Sequence, residues 1–424
     1  MKVVHLSTMV NQSSANTRIH QALLNAGIDS SIMVLEKTND IETCYEVKHS
    51  FIELIKNAIE RRIEKYILHL CYPKREKVIF SSGLYGINIL KDTRISEADI
   101  IHLHWINGGY ISLFMLGKII KLNKPIIWTI HDSWAFTGGC HVRYGCLGFT
   151  RQCGMCPMLG SVKENDFSRY VFERKSKLLK NNQIKFVCPS HWMNSNLKQS
   201  TLFKDNESIV ISNPIDTDLF CIKDLNETEK MLKYQKDKSK FHLLFGAVAP
   251  TSTPYKGFSY LMKSLAHLKE QYPDLKEKIV LHIFGEEESQ IEELKDFQCH
   301  FWGYISNPKD LAYLYSFMDV YVFPSLDDNL PNTVMESLSC GTPVVSFDTG
   351  GISDMVKHKK NGYLAKYKNT QDFCDGIAWI LCNNTDNVLG INGRKKVESE
   401  FSCQGIAEKY IQFYQEQLER KGEF

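Results

Sequence analysis

The sequence predicts two successive α/β domains, each a parallel sheet covered by helices. Three observations lead there. The chain has 424 residues, too many for one ordinary core and enough for two of roughly 200 residues each. Short β-branched runs alternate with helix-like stretches along its whole length, the pattern of parallel strands joined by crossover helices. Each run ends in a loop of small or polar residues, and sheets of this kind place ligand sites at the carboxyl ends of their strands.

In the first half the strand candidates are Lys2–Leu6, Asp99–His104, Pro125–Ile130 and Ile184–Cys188. In the second half they are Phe241–Phe245, Ile279–Phe284, Val320–Phe323 and Pro343–Ser346. The seam falls near Ser212-Asn213-Pro214-Ile215-Asp216, which gives a first domain over 1–212 and a second over 213–403. Lys223 to Lys240 is rich in lysine and glutamate and reads as a solvated stretch. Ile406, Tyr410, Phe413 and Leu418 recur at helical spacing, so 404–424 is expected to form a helix that packs back on the first domain. Phe51 to Lys77 has Ile55, Ile59, Ile63 and Ile67 at i, i+4 spacing, with seven Lys/Arg against four Glu. This basic amphipathic helix either packs on its own domain or rests on an anionic membrane surface.

Composition excludes several classes. An apolar content of 43% and a charged content of 24% suit a soluble enzyme. A formal net charge of +2 gives no nucleic-acid footprint. Met-Lys-Val-Val-His-Leu enters a strand-like run without an apolar signal region. Ile111 to Ile120, the longest apolar stretch, contains Lys118 and falls far short of the roughly 20 residues that span a bilayer. A cytoplasmic protein is expected, with its thirteen cysteines mostly reduced.

The most informative stretch is Phe323-Pro324-Ser325-Leu326-Asp327-Asp328-Asn329-Leu330-Pro331-Asn332-Thr333-Val334-Met335-Glu336, followed by Ser339-Cys340-Gly341-Thr342-Pro343-Val344-Val345. It reads as strand, acidic loop, helix from Asn332 or Thr333, glycine stop and strand. The free N–H groups of a helix N-terminus suit a diphosphate, and flanking carboxylates suit sugar hydroxyls. The stretch resembles the signature of family 4 glycosyltransferases, in which two glutamates stand seven residues apart. The resemblance implies two Rossmann-like domains facing across a cleft, the GT-B arrangement. It further implies a retaining transferase, needing no cofactor for catalysis, that uses a nucleotide-sugar donor.

On that resemblance Glu336 holds the nucleotide ribose and Asp328 contacts the donor sugar, with Asn329, Leu330, Asn332 and Thr333 lining the phosphate loop. Asp328 is one methylene shorter than the usual glutamate, and Pro331 stands where glycine is common and removes one backbone donor. Lys256, before Gly257, matches the lysine that neutralises the diphosphate, while Ala247 replaces the usual arginine after Gly246. Thr251 and Ser252 offer further hydroxyl donors. Gly285-Glu286, Trp302-Gly303-Tyr304-Ile305 and Thr349-Gly350-Gly351-Ile352-Ser353-Asp354 resemble the glycine turns and base-reading segment of the donor site. Together these segments run in the family's order across the second half.

The first half carries the acceptor candidates. His131, at the end of Thr129-Ile130-His131-Asp132, resembles the family's histidine near the reacting sugar and is taken as catalytic with Asp328 and Glu336. His102 and His104 share one strand face, and His104, nearer the strand end, is an acceptor candidate together with Asn107. Arg18 either meets the phosphate of a lipid-linked acceptor or is simply solvated. The loop from Ser7 to Asn16 has no glycine, unlike the family's usual first loop. A glycan or undecaprenyl-linked acceptor is implied, in O-antigen, capsule or exopolysaccharide assembly, with the enzyme in the cytoplasm or peripheral on the inner membrane.

Cys140, Cys146, Cys153 and Cys156 crowd one loop, ending in Cys153-Gly154-Met155-Cys156, with His141 beside them. A structural zinc, two disulfides and free thiols all remain open, whereas four protein ligands would leave no position for catalysis. A similar cysteine-bearing loop occurs in a branch of bacterial surface-polysaccharide glycosyltransferases. The nine other cysteines read as small core residues.

Asp216-Thr217-Asp218 is read as linker rather than metal site. A nicotinamide-dependent oxidoreductase would want G-x-G-x-x-G after the first strand, which the Ser7–Asn16 loop lacks. A zinc-bearing interaction module would explain the cysteine loop but not the donor-side pattern.

Overall fold

The computed structural model describes residues 1–37, 41–76, 78–179, 182–246, 253–285 and 292–422, apart from the side chains at 293, 421 and 422. It divides into two compact units, Met1–Pro214 with Ile406–Phe424, and Ile215–Gly405.

The first unit is built on β1 (Lys2–Leu6), β2 (Asp29–Val34), β3 (Cys44–Glu46), β4 (Ile100–Leu103), β5 (Ile126–Thr129), β6 (Lys185–Cys188) and β7 (Ser208–Val210). They form a parallel sheet in the order β3-β2-β1-β4-β5-β6-β7. The chain leaves β1 toward one edge and returns at β4 toward the other, so the topological switch lies between these two strands.

The second unit holds β8 (Phe241–Gly246), β9 (Ile279–Phe284), β10 (Gln298–Phe301), β11 (Val320–Phe323), β12 (Val344–Phe347) and β13 (Gly362–Ala365). Their order is β10-β9-β8-β11-β12-β13, again parallel, with the switch between β8 and β11.

Both sheets are buried on both faces, as parallel sheets require. In the first unit one face packs a large cluster around Leu103, Trp128 and Phe186. The other packs Val3, Ile100, Ile127 and Val187 against the helices Ala15–Asn25 and Cys403–Gly422. The terminal helix contributes Ile406, Tyr410, Phe413 and Tyr414, all buried. Its tyrosines also bond across the sheet: Tyr410 Oη lies 3.2 Å from Thr129 Oγ1, and Tyr414 Oη lies 2.6 Å from His102 Nδ1.

The Lys223–Lys240 stretch is not simply solvated, which corrects the sequence reading. It forms the helix Leu225–Leu232, and Leu225, Leu232 and Tyr234 pack on the second unit's core. Lys236 Nζ reaches the Phe317 carbonyl at 2.5 Å and Asp319 Oδ1 at 2.9 Å, so a lysine does what an apolar anchor would.

The helix Phe51–Cys71 has its polarity inverted. Asn57 and Glu64 are buried with Leu68, whereas Ile52, Ile55, Ile59, Ile63, Tyr66 and Leu70 are exposed. Asn57 Nδ2 donates to the Gly109 carbonyl at 2.6 Å, and Glu64 accepts from the Ser82 hydroxyl. Burial raises the Glu64 pKa against the lowering effect of the Ser82 bonds. A capping box of Ser50 and Glu53 starts the helix.

Phe413→Ala is expected to destabilise the first unit by about 3 kcal/mol, because it removes a fully buried ring from the terminal helix. Ile391→Ala, at a position 40% exposed, is expected to cost under ~0.5 kcal/mol. Urea unfolding followed by tryptophan fluorescence compares the two.

Candidate functional site

In the second unit three loops meet at the carboxyl edge of the sheet, over the switch between β8 and β11. Leu326 N donates to the Tyr255 carbonyl at 2.8 Å, and Ser325 Oγ to the same oxygen at 3.2 Å. Thr349 Oγ1 donates to the Leu326 carbonyl at 3.2 Å, and Gly351 N to the Asp328 carbonyl at 3.2 Å. Two glycines permit this closeness. Gly257 has φ +75° and a Cβ there would lie 1.9 Å from the Pro324 oxygen, while at Gly350, φ +59°, it would lie 1.8 Å from the Asp328 oxygen.

The convergence pairs Lys256 Nζ with Asp328 Oδ2 at 3.1 Å, with each side chain about 20% exposed. Burial opposes the lysine charge, yet the adjacent Asp328 carboxylate holds the Lys256 pKa above its ordinary value. The helix Asn332–Ser339 begins beside this pair with Pro331 as its N-cap, so Asn332 and Thr333 occupy its first turn. Glu336 is buried on that helix, and its charge acts on Tyr315 and Tyr321 behind it. Asn329 and Leu330 lie in the loop between, the latter in the core.

Gly246 ends β8, where a Cβ would meet the Phe284 ring at 2.3 Å, and its carbonyl accepts from Tyr321 Oη at 3.0 Å. Gly285, φ +82°, donates its N–H to the Gly303 carbonyl at 2.8 Å. Ala247, Thr251, Ser252 and Glu286 lie outside the described residues.

In the first unit the histidines form a buried chain. His131 Nε2 lies 2.9 Å from His104 Nδ1, and His104 Nε2 lies 2.8 Å from His5 Nδ1. Both ring nitrogens of His104 are engaged by other histidines, and its ring lines the same pocket as His131. His131 is the member at the surface end. It lines a small pocket with His104, Trp105, Asn107, Trp128, Asp132 and Trp134. Asn107 is buried and its carbonyl accepts from Thr8 Oγ1 at 2.5 Å, tying the loops after β1 and β4 together. Arg18 is half-buried on the helix Ala15–Asn25.

Burial lowers the pKa of His131 to about 4, although Asp132 opposes the shift. Burial and neighbouring histidines push His5 and His104 well below the usual value. All three are neutral rings near pH 7, each able to donate from one nitrogen and accept at the other.

Among the described residues, His5, His102 and His104 alone form a group with metal-ligating atoms mutually within 4.8 Å. The fit is poor, because both nitrogens of His102 are held by Thr129 and Tyr414, and both of His104 by its neighbours.

The cysteine loop is a second cavity, lined by Cys140, Cys146, Cys153 and Cys156 together with Phe80, Arg143 and Phe149. All four thiols are free in the structure. His141 is not a spare ligand, since Asp132 Oδ2 at 2.6 Å and Ser81 Oγ at 3.0 Å engage its two nitrogens. Of the nine remaining cysteines only Cys44, Cys188, Cys340 and Cys374 are buried.

Sequence reasoning missed the pairing of Asp132 with His141, the link from His5 to His104, and the buried Lys175. A histidine recurring on successive inward strand positions was the available signal for the second of these.

These two sheets, with a phosphate-suited loop over the switch of the second, define the GT-B class of sugar transferase. Comparison with known proteins agrees. Residues 17–219 match the Glycosyltransferase Family 4 model and residues 227–396 match Glycosyl transferases group 1. The chain is a glycosyltransferase built from these two family domains. An uncharacterized glycosyltransferase of Haemophilus influenzae is 28% identical over 371 residues, covering 85% of this chain and 89% of that protein. The glycosyl transferase WcaC of Escherichia coli, named for colanic acid biosynthesis, is 24% identical over 357 residues, covering 80% and 82%. HepE of Anabaena, solved with UDP-glucose, superposes with a TM-score of 0.64 at 13% identity, covering 98% of this chain and all of that one. Sucrose-phosphate synthase of Thermosynechococcus elongatus superposes at 0.64 with 16% identity, covering 98% and 99%.

The buried histidines predict acid sensitivity. His20 titrates near 6.5 when unfolded and near 4 in the fold, because burial disfavours its charge. The unfolded chain therefore binds more protons between these values. Stability is complete above pH 6.5 and falls as pH drops toward 4, by about 2 kcal/mol at pH 5 from His20 alone. A melting series from pH 7 to pH 5 should show a steep fall, less steep in His20→Gln. A flat profile would contradict the neutral-ring assignment.

Proposed function

We propose that this chain is a retaining glycosyltransferase that moves a sugar from a nucleoside-diphosphate sugar to a glycan or undecaprenyl-linked acceptor in surface-polysaccharide assembly. The observation that carries the reading is the Lys256–Asp328 pair over the sheet switch, beside a helix N-terminus and in front of Glu336. The second unit is the donor domain. In the free protein Lys256 is neutralised by Asp328. A diphosphate entering at the helix N-terminus competes for that ammonium, and its release leaves the Asp328 carboxylate to accept from donor-sugar hydroxyls. Glu336 takes the ribose hydroxyls.

The first unit is the acceptor domain, with His131, Asn107 and Arg18 on the acceptor side. A neutral His131 suits hydrogen bonding to a sugar hydroxyl better than an imidazolium would, because it brings no charge beside the developing cation of the transferred sugar. Retention follows if the departing diphosphate accepts the proton of the attacking hydroxyl on the same face, a route without a side-chain nucleophile or catalytic metal. HepE's complex with UDP-glucose makes UDP sugars the first donors to test, and the name of WcaC supports the surface-polysaccharide setting.

Peripheral membrane association fits the helix Phe51–Cys71. Its outward stripe of Ile52, Ile55, Ile59, Ile63, Tyr66 and Leu70 is exposed, and Lys56, Arg62 and Lys65 flank it. An apolar face edged with lysine and arginine is what an anionic bilayer surface takes up, at about 1–2 kcal/mol per isoleucine transferred. No helix among the described residues is long and apolar enough to cross a membrane. The proposed site of action is the cytoplasmic face of the inner membrane.

Donor binding and hydrolysis with UDP-, GDP-, ADP- and CMP-sugars test the reading. One nucleotide should be preferred, with Glu336→Ala weakening binding at least ~10-fold through loss of charge-assisted hydrogen bonds. Failure to bind any of them, with lipid-linked acceptor present, would refute the donor assignment. For the membrane arm, sedimentation with phosphatidylglycerol-rich vesicles should carry the protein down. Ile55→Asp with Ile59→Asp should abolish this while leaving the melting temperature unchanged, and a wild-type protein that stays in solution overturns the membrane reading.

A further inference from the structure

We infer that Cys140, Cys146, Cys153 and Cys156 form a structural metal site that takes one divalent zinc ion as a closed four-thiolate centre. The four thiols line one cavity, although they come from a loop of irregular spacing. Backbone amides are aimed at the sulfurs: Gly138 N donates to Cys153 Sγ at 3.2 Å and Gly148 N to Cys146 Sγ at 3.4 Å. The Leu159 and Met158 amides and the Ser168 hydroxyl act on the Cys156 sulfur. Burial outweighs these donors and raises the Cys156 pKa, but amides so placed recur around thiolate-bound metals as the outer layer that orients the ligands.

The backbone is shaped for the same end. Gln152, Cys153, Gly154 and Met155 all have positive φ, of +73°, +57°, +90° and +44°. Three consecutive non-glycine exceptions around one glycine curl the chain tightly between the last two cysteines. A Cβ at Gly154 would stand 2.2 Å from the Glu164 oxygen, so the curl is locked from outside. Left-handed backbone at non-glycine residues is costly and persists where the surroundings over-determine it.

Charge points the same way. Lys175 is fully buried beside the loop, its ammonium held by the Thr137 carbonyl at 2.9 Å, by the Trp134 carbonyl, and over the Trp134 ring at 3.6 Å. Burial lowers the Lys175 pKa to about 7, against the opposing effects of Cys153, Cys140 and the Asp132 carboxylate nearby. Arg143 is also buried and lines the same cavity. Arg143 and a protonated Lys175 would complement the net charge of −2 on zinc with four thiolates, and a buried charge needs such a partner.

The sulfurs stand wider apart than bound ligands: no three are mutually within 4.8 Å, against edges of about 3.8 Å in a tetrahedron with bonds of about 2.3 Å. Metal binding would draw the four sulfurs together. Binding exchanges four S–H bonds for four Zn–S bonds and releases four protons. With every position filled by protein the ion has no catalytic vacancy. Its effect is to fix the loop that carries Asp132 and His141 beside His131, and to hold Leu68 and Phe80 in the small core beneath the loop.

Untagged full-length protein, purified without chelator, should carry about one zinc per chain by plasma mass spectrometry. Cys153→Ser with Cys156→Ser should lower this at least ~10-fold, and Cys374→Ser should leave it unchanged. If the double variant does not fold, wild-type protein reconstituted with cobalt should show thiolate-to-cobalt and tetrahedral d–d absorption, bleached by a mercurial. Metal-free wild-type protein without cobalt bands overturns the inference. So does mass spectrometry that finds disulfides among the four cysteines. The donor-binding screen is independent of all these readouts, so failure of one reading leaves the other standing.

Discussion

The Lys256–Asp328 site of this enzyme depends on a backbone that two side chains would forbid. At Gly257 and Gly350 any Cβ would stand within 2 Å of a carbonyl oxygen of the acidic loop. Because both positions are bare, the loops after β8, β11 and β12 can lie against one another and share their peptide hydrogen bonds. Lys256 and Asp328 are brought together as a result. The charge chemistry is secondary to this packing, and neither residue would be useful on a loop free to wander.

The first unit solves a different problem. Its sheet carries polar rings at positions that parallel sheets normally fill with aliphatic side chains. His5, His102, His104 and Thr129 are buried there, and His20 is buried on the adjoining helix. They are tolerated because a neutral ring can donate from one nitrogen and accept at the other: His104 bonds to His5 and His131, His102 to Thr129 and Tyr414, and His20 to Ser30 and Thr43, while His5 Nε2 is left without a partner. The cost is a sheet whose core is secure only while those rings remain unprotonated. The terminal helix takes part in this arrangement, since Tyr414 completes the hydrogen bonding of His102.

Much of this was legible in the sequence. The eight strands foreseen are those whose apolar runs are continuous, and the acidic loop with its glycine stop announced the strand–loop–helix turn over the second sheet's switch. Among the strands that escaped notice, two open with polar or glycine residues: Asp29-Ser30-Ser31 in β2 and Gly362 in β13. Ser30 is buried only because His20 bonds to it at 2.7 Å, which no local pattern reveals. The partners of His104 escaped notice for a related reason. Strand alternation gives the face on which a side chain lies, but whether its nitrogens are already taken depends on partners 99 and 27 residues away. The isoleucine spacing of Phe51–Cys71 was plain, yet spacing alone did not show that the apolar side faces outward.

That inverted helix also constrains the order in which the chain can acquire its structure. Asn57 finds its acceptor at Gly109, 52 residues later, and Glu64 finds Ser82, 18 residues later. A conventional amphipathic helix can collapse onto whatever apolar surface precedes it. This one has no reason to do so, because its inward side is polar and its specific acceptors have not yet been made. During synthesis the helix must therefore wait until residue 109 has left the ribosome, with isoleucines on one side and unmet amide and carboxyl groups on the other. For that interval the nascent chain is at its stickiest, and a nearby bilayer or chaperone has its earliest opportunity to capture it.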